Sequence, residues 1–398
     1  MKVLFIFCDM LRANILKTFN GNVEKNSQID DWFKKLGGTA YTKCYCPGPD
    51  TGRGMGCFYS GRYPKYNGCT KRAYWPLNFL KKDTFNIFEL FKKHNYNMLT
   101  YLEKRKVETG FFPRMKYDKL TNYYKFDDFI DKLSEQMEKE KDIFSFASIS
   151  DYHWAISDYG SNKKGDRYGQ KHVANCLDRI FDKIEPDAFD YIVLFSDHGF
   201  KAQHDLKENK LRFLNDDRTR IVMMVRKKGA KKIEKKDNLT TIMDVFPTFM
   251  DILHDKTDVS LDGVSLFKEK KDRCVIIEDY YGFFTEIGRD FELWGARTNN
   301  YFYITNLYDS ILLKDVKKGK FVEEKNPDEK MIKEFETKII KDTITFEGNQ
   351  EIRDVLKGLR KRKGKTPDRY ADGDKRVNSA MLRKVNKGFY SVVFKNKF

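Results

Sequence analysis

The stretch Tyr191-Ile192-Val193-Leu194-Phe195-Ser196-Asp197-His198-Gly199 carries the main information on the fold and chemistry of this chain. Its first five residues are apolar, which is typical of a short strand that is buried on both faces in a parallel sheet. An acid and an imidazole follow almost at once. Together they offer two ligands to a divalent cation, although Asp-His pairs also occur as ordinary hydrogen-bonded turns.

Two further apolar runs have the same form. Lys2–Cys8 ends at Asp9, and Ile143–Ile149 is followed by Asp151. An acid at the end of a buried strand needs a partner, because an unpaired buried charge is costly. These residues therefore point to a site rather than to a solvated loop.

Helices alternate with these strands along the chain. Apolar residues at helical spacing predict helices over 27–36, 85–93, 172–184 and 244–253, and shorter apolar runs predict strands over 96–102 and 221–225. This alternation predicts an α/β fold with a doubly wound, mostly parallel sheet and helices on both faces. Ligands bind beyond the carboxyl ends of such strands, so we expect Asp9, Asp151, Asp197 and His198 to meet in one crevice.

The pattern of apolar residues changes beyond about residue 275. Short β-like runs and a helix near 328–341 predict a smaller α+β subdomain. We therefore expect a catalytic core over 1–270, a small C-terminal subdomain over 271–345 and a basic tail over 346–398.

The composition excludes several classes of protein. Of 398 residues, 40% are hydrophobic and 34% are charged, which is too apolar for a disordered chain and too charged for an integral membrane protein. No apolar run approaches 18 residues, and the first strand is too short for a signal peptide. Seven irregularly spaced cysteines suggest no disulfide framework, so we expect a reducing cytoplasm.

The net charge of +17 is concentrated at one end. Residues 351–398 contain 15 Lys and Arg but only 5 Asp and Glu, with aromatic and aliphatic residues over 389–394. This mixture favours docking on the anionic inner face of a membrane. Nucleic acid ranks lower as a partner because no nucleic-acid-binding motif accompanies the charge. A solvated tail or an oligomer contact is the alternative.

Thr51 lies in a loop of turn-forming residues over 46–54, ahead of a helix predicted from Met55 to Gly61. A hydroxyl at such a position is most often a simple N-cap. The same position also presents backbone N–H groups to an anion, and a hydroxyl held against a divalent ion becomes a nucleophile. We expect Arg53 to aim its guanidinium at the same anion.

These residues carry a family resemblance. Thr51, followed after eight residues by Ser60-Gly61-Arg62-Tyr63-Pro64, resembles the nucleophile region of the alkaline phosphatase superfamily, and of its sulfatases, phosphodiesterases and phosphotransferases in particular. Segments in matching order over about 1–345 resemble further sulfatase landmarks, and they are Phe5–Arg12, Thr84–Tyr96, Phe195–Gly199, Arg220–Val222, Asp244–Thr248, Leu261–Leu266 and Arg297–Tyr301.

The resemblance implies roles for particular residues. It implies a divalent metal, Zn, Mn or Ca, held by Asp9, Thr51, Asp197 and His198. It places Asp151, His153 and His204 where relatives bind substrate or a second metal, and Lys210 where relatives have a substrate-binding lysine. One or two ions are therefore expected.

Two departures from the sulfatase pattern bear on the substrate. Sulfatases need a Cys or Ser that is oxidised to formylglycine, whereas here Thr51 stands at the aligned position and neither Cys44 nor Cys46 has the required context. Met10 also replaces the second acid that sulfatases use for calcium. Both changes favour phosphoryl chemistry, for which relatives use an unmodified threonine.

The sequence thus predicts a metal-dependent hydrolase or transferase that acts on phosphate esters or diesters through Thr51. The substrate would be a small anionic ester, on a membrane-linked or glycan precursor. Arg53, His153 and Lys210 would stabilise the charge that develops at phosphorus. Two alternatives stay open, namely a true sulfatase and a non-catalytic polyanion-binding protein on an inactive sulfatase-like fold.

Overall fold

The structure is a computed structural model. It describes residues 1–69, 80–81, 84–103, 119–200, 211, 214–280, 292–305, 309–317 and 320–343. The basic tail predicted over 346–398 lies outside these residues, as do His204 and Lys210. The domain boundaries at 270 and 345 stay predictions. No helix in the described ranges has the length and apolar character needed to cross a membrane.

The helices, in chain order, are α1 (Gln28–Leu36), α2 (Thr51–Ser60), α3 (Pro64–Asn67), α4 (Ile87–Lys93), α5 (Phe126–Lys139), α6 (Asp151–Tyr159), α7 (Lys163–Phe181), α8 (Asp216–Thr219), α9 (Val245–Ile252) and α10 (Glu329–Asp342). Short 3-10 turns occur at Ala13–Ile15, Pro186–Ala188 and Ile242–Asp244.

The strands of the large sheet and of a short ladder beside it are β1 (Lys2–Cys8), β2 (Gly38–Tyr41), β3 (Cys44–Tyr45), β4 (Asn97–Tyr101), β5 (Leu120–Tyr123), β6 (Ile143–Ile149), β7 (Tyr191–Phe195), β8 (Met223–Lys227), β9 (Ile233–Lys236) and β10 (Thr240–Thr241). Those of the small sheet are β11 (Val275–Tyr280), β12 (Glu292–Arg297), β13 (Tyr301–Thr305), β14 (Ser310–Lys317) and β15 (Lys320–Glu323).

The large sheet has eight strands in the order β5-β4-β6-β1-β7-β8-β2-β9, and β3 pairs with β10. The five strands from β5 to β7 run parallel, β8 runs antiparallel to its neighbours β7 and β2, and β9 pairs parallel with β2. The predicted α/β class and mostly parallel sheet are confirmed. Because β1 lies between β6 and β7, the three carboxyl ends that carry the polar residues are neighbours.

Helices cover both faces of this sheet. They bury the side chains of β1, which are apolar on both sides of the strand. Its odd-numbered side chains pack with α2, α4 and α9, and its even-numbered side chains pack with α1, α5 and α7. Phe5 lies within 4.9 Å of the Phe249 ring and 5.3 Å of the Phe144 ring, measured between centroids. We estimate that truncating such a buried ring costs about 3–5 kcal/mol.

The predicted C-terminal α+β subdomain is also confirmed. Its five strands form an antiparallel sheet in the order β11-β12-β13-β14-β15. Alternate residues of this sheet face opposite sides, so Ile277 and Phe302 join one core cluster, while Trp294 and Tyr303 join the main core together with Phe335 of α10. The small sheet is therefore packed into the molecule through side chains on both of its faces.

Candidate metal and catalytic site

Asp9 lies at the carboxyl end of β1 and is 2% exposed. Its backbone N–H donates to the carbonyl of Ile149 at 2.9 Å, which continues the pairing of β1 with β6. Its Oδ1 lies 3.4 Å from Thr51 Oγ1, and its Oδ2 lies 3.3 Å from His153 Nδ1. One carboxylate thus contacts residues from two other segments of the chain.

Asp197 is fully buried, and its orientation is set by backbone N–H groups. Its Oδ1 accepts hydrogen bonds from the N–H of Met10 at 3.0 Å and from the N–H of His198 at 2.9 Å. Met10 has a φ of 65°, so the chain after β1 turns through a left-handed conformation to make this contact. The two N–H donors together hold the carboxylate in one orientation. The Oδ2 atom then lies 3.4 Å from His198 Nε2.

The tautomer of His198 follows from its hydrogen bond to Gly199. Nδ1 lies 2.8 Å from the Gly199 carbonyl, which can only accept, so Nδ1 carries the proton. In the neutral ring Nε2 is then the nitrogen with the free lone pair, and it faces both Asp197 Oδ2 and Thr51 Oγ1 at 3.4 Å. A histidine fixed in this way is prepared to bind a metal through Nε2.

Asp9, Asp197 and His198 form a buried group whose ligand atoms all lie within 4.8 Å of one another. Two neighbouring buried carboxylates and an imidazole nitrogen are a donor set that suits a divalent cation, which would offset the repulsion between the acids. The residues therefore fit the metal that the sequence predicts. Within the residues that the structure describes, the group contains neither Asp151 nor His153.

Thr51 is the first residue of α2, and it is not the N-cap. That role belongs to Asp50, whose Oδ1 accepts a hydrogen bond from the Arg53 N–H at 3.1 Å. The Thr51 side chain is partly exposed, and its Oγ1 lies at 3.4 Å from both Asp9 and His198. The simple capping role considered for this hydroxyl is therefore wrong, since the cap is the residue before it.

Arg53 does not aim its guanidinium at the site, and the expectation that it would hold the anion is corrected. The side chain is fully buried, and it donates from Nε to Asp50 at 2.6 Å and from its terminal nitrogens to the Glu278 carbonyl and the Asp279 carboxylate. Burial alone would lower the pKa of Arg53, but the neighbouring carboxylates outweigh it and raise the pKa. The residue fixes the loop that carries Thr51.

Asp151 also differs from the expectation. It begins α6, and its carboxylate hydrogen-bonds to the thiol of Cys176 on α7. Burial, with the charge of Asp151 next, raises the pKa of that thiol to about 12. The strand end was identified correctly, but the side chain faces the neighbouring helix rather than the Asp9 group.

His153 lies beside Asp9, with its Nδ1 at 3.3 Å from Asp9 Oδ2, and its assignment to substrate or to a second metal stays a prediction. Its side chain is 39% exposed, so it can reach a bound molecule while it contacts the buried carboxylate. The ring of Trp154 packs beside it at a centroid distance of 5.5 Å. His204 and Lys210, the other two residues assigned to the site, lie outside the described residues.

Three residues that support the site were missed. Asp50 had a sequence signal, because an aspartate directly before a helix is a favoured N-cap. Asp279, which accepts from Arg53, and Arg218, whose Nε donates to the same carboxylate at 2.6 Å, had none, because they come from distant segments and meet only in the folded chain.

Solved structures with a similar fold include a protein of the alkaline phosphatase superfamily from Vibrio parahaemolyticus, with 15% identity, a TM-score of 0.62 and coverage of 86% of each chain. A 2-O GAG sulfatase has 14% identity and a TM-score of 0.64, and the match covers 93% of this chain and 96% of that one. A phosphonate monoester hydrolase from Silicibacter pomeroyi has 14% identity and a TM-score of 0.60, over 84% and 93% of the two chains. At these identities the likeness establishes the fold.

The chain has an alkaline phosphatase-like fold, and its buried carboxylate–imidazole group could hold a metal ion. The Sulfatase family model matches residues 2–255, and the chain belongs to the sulfatase family. A comparison with curated proteins gives no significant match.

Proposed function

We propose that this protein hydrolyses phosphate esters or diesters with Thr51 as the nucleophile. The observation that carries the proposal is the position of Thr51 Oγ1, which lies 3.4 Å from both Asp9 Oδ1 and His198 Nε2. A partly exposed hydroxyl beside a buried metal-ligand group is open to substrate and can be activated there.

Asp9, Asp197 and His198 would hold the divalent cation, and Thr51 would complete the set. When bound, the cation supplies Lewis-acid stabilisation of negative charge and lowers the pKa of a hydroxyl beside it. The prepared Nε2 of His198 and the fixed carboxylate of Asp197 mean that little side-chain reorganisation is needed.

The reaction proceeds in two displacements at phosphorus. In the first, the Oγ1–P bond forms while the P–O bond to the leaving alcohol breaks, and the threonine proton passes by way of Asp9 Oδ1, which already accepts from that hydroxyl, to the departing alkoxide oxygen. In the second, a water oxygen bonds to phosphorus, the Oγ1–P bond breaks, and one proton of that water passes to Thr51 Oγ1. His153, exposed beside Asp9, stabilises the charge on the phosphoryl oxygens. An acceptor alcohol in place of water would make the same intermediate serve a transferase.

The identity of residue 51 favours phosphate over sulfate. Threonine cannot become the aldehyde that sulfatases use, and the cysteines nearby do not take its place. Cys46 is fully buried and its thiol hydrogen-bonds to the Gly48 carbonyl at 3.0 Å, while burial raises the pKa of Cys57 well above its usual value.

The test compares Thr51→Ala and Thr51→Ser with the exposed control Thr337→Ala on α10. Substrates are bis(4-nitrophenyl) phosphate, 4-nitrophenyl phosphate and 4-nitrophenyl sulfate, each with added Zn²⁺ or Mn²⁺. We expect Thr51→Ala to lose at least about 10³-fold in kcat on the phosphates, Thr51→Ser to retain activity, and the control to match the wild type. Mass spectrometry of a quenched reaction should find phosphate on the peptide that contains Thr51.

Three outcomes would contradict the proposal. Unchanged turnover by Thr51→Ala would show that Thr51 is not the nucleophile. Formylglycine within residues 44–62, together with preferred cleavage of the sulfate ester, would indicate a true sulfatase. A wild-type protein that cleaves none of the esters would support the non-catalytic alternative.

A further inference from the structure

A chain of buried charges runs from the loop of Thr51 to the small C-terminal sheet. Asp50 pairs with Arg53, Arg53 pairs with Asp279 of β11 at 3.1 Å, and Arg218 holds the same Asp279 through Nε at 2.6 Å. The Asp279 side chain is fully buried, its Oδ1 accepts from both arginines, and its Oδ2 accepts from Arg218. Buried Glu278 adds a further negative charge near Arg53.

Each end of this chain contacts a segment of the candidate site. At one end, Asp50 caps α2, so it fixes the turn at which Thr51 begins the helix. At the other end, the carbonyl of Arg218 accepts the Gly199 N–H at 2.8 Å. The Gly199 carbonyl in turn accepts a hydrogen bond from His198 Nδ1. One carboxylate of the small sheet is therefore bonded, through one arginine on each side, to the segments that carry Thr51 and His198.

We propose that Asp279 is a positioning residue for the site, which sets the separation between Thr51 Oγ1 and His198 Nε2 from the C-terminal subdomain. It contacts neither residue and acts through Arg53 and Arg218. Two arginines on one carboxylate can be held only in a narrow range of geometries, because each guanidinium donates in a fixed planar fork. The small sheet thereby helps to position Thr51 and His198. The part of this proposal that concerns turnover rests on the proposed function.

The molecule supplies a matched control. Arg273, two residues before β11, donates from both terminal nitrogens to the buried carboxylate of Asp244. This pair also joins the start of the small sheet to the core, and its Arg and Asp are buried, as are those of the charge chain. Asp244 bonds to Thr241 and Val264 rather than to the loops at 50–53 or 197–199.

The experiment compares Asp279→Asn with Asp244→Asn in the full-length protein. Melting temperature reports the loss of stability common to both variants, and hydrogen exchange of peptides covering 48–56 and 196–200 reports the two site segments. We expect Asp279→Asn to lower kcat on bis(4-nitrophenyl) phosphate by about 10- to 100-fold with KM little changed, and to speed exchange in both segments. Asp244→Asn should leave kcat and both segments close to wild type.

A second variant covers the case in which Asp279→Asn does not fold. The pair Arg218→Gln and Asp279→Asn removes one cation and one anion together and leaves the Asp50–Arg53 pair in place, and it should show the same site effects. The proposal is overturned if both Asp279 variants match Asp244→Asn in kcat and in exchange. If the wild type cleaves no ester, the proposed function fails, and the exchange measurement still decides whether Asp279 positions the two segments.

Discussion

At the scale of single residues, Gly54 shows how closely the site is packed. A β-carbon at this position would lie 2.9 Å from the Asp197 carbonyl and 3.1 Å from Cys46 Sγ. The neighbouring backbone cannot give way as a flexible side chain could. The helix that begins at Thr51 therefore reaches the Asp197 segment only because residue 54 has no side chain.

This contact leads to a prediction for Gly54→Ala. Alanine is favoured over glycine in a helix by about 1 kcal/mol, so helix propensity alone would stabilise the variant. We expect the clash to win, because it pushes α2 away from Asp197 and moves Thr51 from the metal-ligand group. The kcat on a phosphate diester should fall by about 10²-fold.

The measurement is steady-state kinetics together with thermal melting, and the control is Gly21→Ala. A β-carbon at Gly21 would meet no atom within 4 Å, so this variant should behave as wild type. A Gly54→Ala protein with wild-type kcat would show that α2 can shift without disturbing the site.

At the scale of secondary-structure elements, the sequence predicted the strands that lead to the site better than it predicted the starts of α2 and α7. The observed bounds of β1, β6 and β7 equal the predicted runs, because a short run dominated by branched and aromatic residues has few alternatives to a buried strand. The predicted start of α2 was Met55, whereas the helix starts at Thr51. The helix predicted from residue 172 starts at Lys163.

The early turns of α2 and α7 are rich in glycine. Glycine is a poor helix former, so it favours the prediction of a loop. In the structure these glycines make room for close packing. A β-carbon at Gly169 would lie 2.5 Å from the Tyr152 ring, and one at Gly56 would lie 2.6 Å from Cys69 Sγ. Tertiary contacts therefore decide where these helices start, and such contacts cannot be identified from a single sequence.

The same distinction separates the predicted site residues. Asp9, Asp197 and His198 meet because strand ends in a parallel sheet meet, and this follows from the order of elements. The expectations for Arg53 and Asp151 failed because each depends on the direction of one side chain. Arg53 turns to Asp279, more than 200 residues away in sequence, and Asp151 turns to Cys176 on the adjacent helix.

The packing of α4 against the end of α9 supplies a prediction on pH. Asp255 accepts from Lys93 and from the His94 Nε2, both at 2.8 Å, where α4 ends. Burial pushes the pKa of Asp255 upward, but the hydrogen bonds from Lys93, Thr257 and His94 outweigh it and hold the pKa below its usual value. A lowered folded-state pKa gives stability that is present above the unfolded-state value and is lost as the pH falls.

We therefore expect Asp255→Asn to be less stable than wild type at pH 7, by an amount on the order of 1 kcal/mol after screening by solvent. The difference should shrink as the pH falls below about 4, where the unfolded-state aspartate is protonated. Urea unfolding at several pH values measures it, with the exposed Asp237→Asn as the control. A difference that stays constant from pH 7 to pH 3 would show that the charge of Asp255 is not its source.

At the scale of the whole molecule, two sheets and the loops between them converge on one small group of ligand atoms. β1 and β7 of the large sheet supply Asp9, Asp197 and His198, and β11 of the small sheet supplies the carboxylate that holds Arg53 and Arg218. Folding brings together acids that repel one another unless a cation is present. Metal binding and the stability of the whole chain should therefore be linked.

The linkage can be measured without a substrate. Protein treated with a chelator and returned to buffer should melt at a higher temperature once Zn²⁺ or Mn²⁺ is added, because the folded site binds the ion far better than the unfolded chain does. At a concentration of about 100 times Kd the free energy of unfolding should rise by about 2.7 kcal/mol.

His198→Ala should lose this increase in stability on metal addition, since it removes the Nε2 atom that would bind the ion. His172→Ala should keep it, because this exposed histidine on α7 is not part of the ligand group. An equal increase in the melting temperature of His198→Ala would show that the ion binds elsewhere. No increase in the wild type would mean that the three ligands do not form a metal site on their own.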